Sequence, residues 1–154
     1  MKVLCCVAGA AAMMASQAAA QASGLVPFNV VVTGGVATIP ASLTGKPGDP
    51  KEGEKVMVER RLGNCLSCHA IDALSREPFH GDIGPPLNGV ARRWDVGTLR
   101  MIVVNAKEVF GGETVMPAFY RVDGLNRVRP EFLDKPILTT QQVEDVVAFL
   151  ATLK

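Results

Sequence analysis

Two cysteines three positions apart, with a histidine directly behind them, constrain this chain more than anything else in it: Gly63-Asn64-Cys65-Leu66-Ser67-Cys68-His69-Ala70. Cys-x-x-Cys-His is the attachment pattern for a c-type haem. Thiols at that spacing can add across the two vinyl groups of one haem. The adjacent histidine is then held beneath the iron as an axial ligand. A small chain tied to a planar apolar group must fold around it, so the remaining segments are read as pocket, second ligand and docking surface.

Two other uses of the pattern fare worse. A closed zinc site needs about four ligands. Beyond residue 22 only Cys65, Cys68, His69 and His80 offer imidazole nitrogen or thiol sulfur, so a closed site would need every one of them. A redox dithiol usually accompanies a βαβ pattern, which this sequence lacks.

Residues 1–22 have the layout of a secretory signal peptide. Met1-Lys2 is followed by an apolar run from Val3, then by Ala18-Ala19-Ala20-Gln21-Ala22, which offers two small-x-small cleavage sites. The run is too short and too weakly flanked to be a membrane span. It also lacks the polar face of a packed surface helix. Cys5 and Cys6 interrupt the run, whereas a lipid-anchored cysteine would follow it. Removing the signal leaves Cys65 and Cys68 as the only cysteines, both used by thioethers, with no spare pair for a structural disulfide. The mature chain is expected to be exported. Without Lys2 the basic residues number 16 − 1 = 15, against 15 acidic ones, so the mature net charge is 0. That balance points away from nucleic acid, anionic membrane surfaces and long-range steering.

Residues 23–48 are expected as an N-terminal extension that contacts a partner or forms a mobile arm. Val30-Val31-Val32 and Val36-Ala37-Thr38-Ile39 flank Gly34-Gly35, a short hairpin. Pro40, Gly45, Pro47, Gly48 and Pro50 then punctuate a loop. Residues 49–154 form the main domain. Asp49-Pro50 starts a helix that should run to Leu62, with Gly63 as its cap and Gly53, Val56, Met57 and Arg60 on one face. Leu99, Ile102, Val103 and Ala106 predict a helix over 98–109, stopped by Gly111-Gly112. Thr139 and Gln142 form a capping box before the stripe Val143, Val146, Val147, Leu150, so a last helix runs to the chain end. Phe149 and Leu150 are the expected partners of Gly53 where helices cross. The class is all-α, with three main helices around a covalent haem and an irregular N-terminal extension.

The second axial ligand must come from the opposite face of the haem. Met57 and Met101 sit in helical patterns, where methionine usually fills core gaps. His80 follows His69 by 80 − 69 = 11 residues and reads better as a loop-surface imidazole. Met116 precedes Pro117, which holds it extended, and lies 116 − 69 = 47 residues beyond His69, far enough to return on the distal side. Met116 is therefore the preferred ligand, with His80 the alternative. A thioether ligand raises the potential, which suits an electron carrier. A ligating histidine usually donates its other N–H to a carbonyl. Gly84-Pro85-Pro86-Leu87 can supply one, and Pro85 is the preferred acceptor. Arg92, Arg93, Trp94 and Tyr120 are candidates for shielding haem propionates.

The order Cys-x-x-Cys-His, Gly-Pro-x-Leu, Met-Pro, terminal helix resembles class I cytochromes c. More narrowly, the chain is similar to the SoxX family of monohaem cytochromes, which are subunits of SoxAX complexes in periplasmic sulfur oxidation. The most specific blocks are Met116-Pro117-Ala118-Phe119-Tyr120 and Lys135-Pro136-Ile137-Leu138-Thr139, beside Ile39-Pro40-Ala41-Ser42-Leu43-Thr44 and Ile83-Gly84-Pro85-Pro86-Leu87-Asn88-Gly89. The resemblance implies one haem c bound through Cys65 and Cys68, with His69 and Met116 as axial ligands. It implies a heterodimer with a SoxA-like dihaem or monohaem cytochrome, on which the sulfur chemistry occurs. That complex, an L-cysteine S-thiosulfotransferase, joins thiosulfate to a cysteine of a SoxYZ-like carrier. The electrons released pass through the SoxX haem to a small cytochrome acceptor. Where the family often has two methionines before the proline, this chain has Val115-Met116, so Met116 alone can ligate from that loop. The competing function is a free-standing class I cytochrome c shuttle.

Overall fold

A computed structural model describes residues 25–154. The signal peptide expected at 1–22, with Cys5 and Cys6, lies outside the described residues.

The valine-rich segment forms a two-stranded antiparallel hairpin, β1 (Val31–Thr33) and β2 (Val36–Thr38), in the register Val31 to Thr38 and Thr33 to Val36. Gly34 (φ 58°) and Gly35 (φ 83°) make the turn, and positive φ at both central residues matches the twist of a tight hairpin. The five α-helices among the described residues are α1 (Pro50–Val58), α2 (Val90–Arg93), α3 (Val96–Asn105), α4 (Lys107–Phe110) and α5 (Thr140–Leu150). Short 3-10 turns occupy Cys65–Ser67, Asp72–Leu74 and Pro130–Phe132. No helix among the described residues is long and apolar enough to cross a membrane.

Asp49 caps α1 through its carboxylate, which accepts the Lys51 N–H at 2.8 Å. The helix ends four residues before the predicted Leu62. Glu59 adopts an extended backbone (ψ 118°), and the Gly63 N–H returns to the Val56 carbonyl at 3.1 Å. A side chain at 63 would bring a β-carbon within 2.8 Å of that carbonyl oxygen, so glycine is required for the chain to fold back there.

α1 crosses α5 at Gly53. A β-carbon there would overlap the Asp145 carbonyl and stand 3.0 Å from Phe149 Cβ. The two backbones touch, as the pairing of Gly53 with Phe149 anticipates, and the nearest atom is the Asp145 carbonyl oxygen. α5 carries a reciprocal capping box. Thr139 Oγ1 accepts the Gln142 N–H at 3.2 Å, and Gln142 Oε1 accepts the Thr139 N–H at 2.9 Å.

The helix expected over 98–109 is two helices. It starts earlier because Asp95 caps it, accepting the Thr98 N–H at 3.0 Å. It breaks after Asn105, whose Oδ1 accepts the Lys107 N–H at 3.3 Å. A side-chain amide that bonds the backbone locally competes with helix continuation. Gly111 (φ 84°) then ends α4.

Residues 36–49 of the extension pack on their own domain, contrary to a mobile arm. Ile39 is fully buried, and its N–H donates to the Gly97 carbonyl at 3.1 Å. The Arg100 guanidinium donates to both Glu144 carboxylate oxygens, at 2.8 and 3.0 Å, and to the Ile39 carbonyl at 2.6 Å. The Leu43 N–H reaches Glu144 Oε1 at 2.9 Å, and the Asp49 N–H reaches Asp145 Oδ1 at 2.8 Å. A buried charge needs a paired, hydrogen-bonded counter-charge. Here that pair also satisfies the backbone of the segment laid across α3 and α5.

Candidate haem site

The Cys-x-x-Cys-His segment sits on the 3-10 turn Cys65–Ser67, entered through Asn64 in a left-handed conformation (φ 48°). The Cys68 and His69 N–H groups both donate to the Cys65 carbonyl, at 3.1 and 3.0 Å. Both thiols are free and half-buried. Burial pushes the Cys65 thiol up to about 12. Those surroundings favour an uncharged sulfur. An uncharged thioether suits the same surroundings.

A second strand of chain is laced along the turn. The Gly81 N–H donates to Leu66 O at 2.8 Å, Gly84 N–H to Cys68 O at 2.8 Å, and Leu87 N–H to Ala70 O at 2.9 Å. Two glycines permit this closeness. A β-carbon at 81 would overlap the Ser67 carbonyl, and one at 84 would overlap the His69 ring. The lacing places the Pro85 carbonyl 2.7 Å from His69 Nδ1. A carbonyl only accepts, so Nδ1 carries the proton and Nε2 keeps the lone pair a metal would use. Arg93 braces the loop from behind, donating to Pro86 O at 2.9 Å and Asn88 O at 2.8 Å.

Of the other propionate candidates, Tyr120 is buried and its hydroxyl accepts the Val26 N–H at 2.8 Å. Trp94 is half-buried, edge-on to Phe110 at 6.0 Å between ring centroids. Arg92 is exposed.

Met57 and Met101 are buried in the core. Met116 is half-buried against that core, in the loop between α4 and Pro117. Its carbonyl accepts from Lys107 Nζ at 2.6 Å. His80 is not a surface imidazole. Its Nδ1 accepts the Ile71 N–H at 3.2 Å and its Nε2 donates to Leu74 O at 3.1 Å. With both nitrogens engaged by nearby backbone, His80 latches its loop. Lys107 and the bracing by Arg93 escape sequence reasoning, because neither lies in a motif. A groove of about 610 Å³ borders the turn at Asn64, Leu66 and Ser67, but is lined by neither thiol, nor His69, nor Met116.

The residues fit a covalently held haem. Two thiols and a histidine share one rigid turn, the histidine tautomer is set for coordination, and a glycine lets the loop backbone close against the imidazole. The cytochrome c family model matches residues 50–154. The chain belongs to the cytochrome c family, and its cofactor is covalently bound haem c, whose attachment motif the Cys65 and Cys68 pair fits. The crystal structure of SoxXA from P. pantotrophus contains a chain 52% identical to it, with a TM-score of 0.73, over 81% of this chain and 94% of that one. On that likeness the chain is a SoxX-type cytochrome. No curated protein matches it.

Proposed function

We propose that this chain is the electron-transfer subunit of a SoxAX-type complex in the periplasm, exported by the signal peptide at 1–22. The observation that carries this reading is the 52% identity across 94% of a chain of SoxXA. Haem supplies one-electron oxidation and reduction at its iron. The residues of this chain hold and tune it. Cys65 and Cys68 would anchor it through thioethers, His69 Nε2 and the Met116 thioether would be its ligands, and the Pro85 carbonyl fixes the imidazole through Nδ1–H.

The sulfur chemistry belongs to a SoxA-like dihaem or monohaem partner in a heterodimer. There a bond forms between a cysteine thiolate of a SoxYZ-like carrier and the outer sulfur of thiosulfate. Two electrons leave the sulfurs, one at a time through this subunit, to a small cytochrome acceptor. The mature chain has no third cysteine with which to host that step. Residues 23–48 supply a partner surface, to which the exposed valines Val26, Val30, Val31 and Val32 contribute.

Pull-down of the mature protein, with haem staining and mass measurement, tests the assignment. The expected result is a complex with a larger haem protein. A monomer that exchanges electrons freely without a partner would be a shuttle. Met116→Ala should abolish the Met–Fe absorption band of the oxidised protein, and its persistence would remove Met116 as ligand.

A further inference from the structure

One ammonium group gathers two carbonyls of the loop that presents Met116. Lys107 Nζ donates to the Thr114 carbonyl at 3.0 Å and to the Met116 carbonyl at 2.6 Å. The Met116 N–H lies 3.4 Å from Thr114 Oγ1, which accepts it. Both backbone polar groups of Met116 are thus occupied from within the loop and its flanking helix. Val115, between the two clamped carbonyls, is 76% exposed and adds little packing of its own. Downstream the chain is tied to α3, where Phe119 N–H and Tyr120 N–H donate to Val103 O and Val104 O, each at 3.2 Å. Among the described residues Lys107 makes no ion pair with a carboxylate. Its charge is spent on two carbonyls, and charge-assisted hydrogen bonds of this kind are the strong ones. Lys107 owes its place to the helix break after Asn105, which makes it the first residue of α4.

We propose that Lys107 is a positioning residue for the Met116 thioether. By gathering the Thr114 and Met116 carbonyls onto one ammonium, it fixes the backbone from which the thioether projects. It also keeps a positive charge 2.6 Å from the Met116 carbonyl. This inference rests on Met116 being the ligand. Holding a ligand in place through its supporting shell slows its exchange for external ligands. A nearby positive charge favours the reduced, less positive centre.

The test uses the purified haem-loaded protein and the variants Lys107→Met, Lys107→Arg and Met116→Ala. Lys107→Met keeps the stem and removes the donors and the charge. It should bind cyanide in the oxidised state about tenfold faster than wild type, the scale of losing one hydrogen bond to a charged group. Its potential should also fall. Lys107→Arg should restore both toward wild type, which a purely structural role for the stem would not produce. Wild-type cyanide kinetics and potential in Lys107→Met would overturn the proposal. Should Lys107→Met not accumulate with haem, Lys107→Gln takes its place under the same criteria. Met116→Ala separates the two levels. Loss of its Met–Fe band alongside an unchanged Lys107→Met sinks only the clamp, whereas a retained band sinks the ligand assignment beneath it.

Discussion

Gly84 and His69 are packed so closely that a β-carbon on residue 84 would overlap ring atom Cε1 and stand 2.6 Å from Nδ1. The imidazole therefore lies flat against a bare backbone, with the next residue's carbonyl in hydrogen-bond range. Gly84→Ala must push the ring, the loop or both. We expect a loss of about 1–3 kcal/mol in stability from overpacking and a lower yield of haem-loaded protein. Gly112→Ala is the control, because a β-carbon there meets nothing within 4 Å. Denaturant melts and haem staining compare the two. Equal yields and midpoints would show that the contact imposes nothing.

The Arg100–Glu144 pair is buried on both sides, with side-chain exposures of 6% and 3%. Removing one partner leaves the other charged and uncompensated, so Arg100→Met or Glu144→Leu should each cost about 3–5 kcal/mol. The double variant should recover much of that loss, since an apolar pair of similar volume is often neutral. Additive losses in urea melts of the three proteins would contradict this.

At the start of α3, the Thr98 backbone N–H donates to the Asp95 carboxylate and holds it below its ordinary value of 3.8, against a smaller opposing effect of burial. A carboxyl depressed in the folded state stabilises that state above its unfolded value. The contribution is lost as pH falls below about 3.8 through the folded value. Asp95→Asn can still cap, and should show a shallower loss of stability in that acid window. Asp95→Ala should cost about 1 kcal/mol at neutral pH through the missing cap. Midpoints measured across the window decide it, and identical acid slopes for wild type and Asp95→Asn would refute the linkage.

His80 offers a contrasting outcome. Losing its two backbone partners in His80→Ala should cost about 1–3 kcal/mol, because the Ile71 N–H and Leu74 carbonyl are left without it. The haem absorption spectrum should stay as in wild type. A changed axial-ligand signature would make His80 a ligand after all.

The helices were legible where the signal was local. Asp49-Pro50, the Thr139/Gln142 box and the α5 stripe each carry their instruction within a few residues. The helix break at Asn105 was not, because it depends on one amide choosing a backbone partner over solvent. Nor was the packing of residues 36–49, whose hydrogen bonds join positions as far apart as Leu43 and Glu144. Pro85 could be picked from sequence as the carbonyl for His69, since a rigid loop shortly after the histidine can reach it. His80 reads as a surface group in the sequence because its donor and acceptor partners are backbone atoms, which leave no trace in residue type. Lys107 was invisible for the same reason.

The Leu43–Glu144 contact spans 101 positions, and the neighbouring Asp49–Asp145 contact spans 96. Closure of so large a loop is entropically costly and is repaid only when both ends are in place. The early segment and the last helix therefore open and close together. In native-state hydrogen exchange, the amides of Leu43 and Asp49 should share one opening free energy with those in the middle of α5, so that loosening residues 36–49 is felt at the far end of the chain.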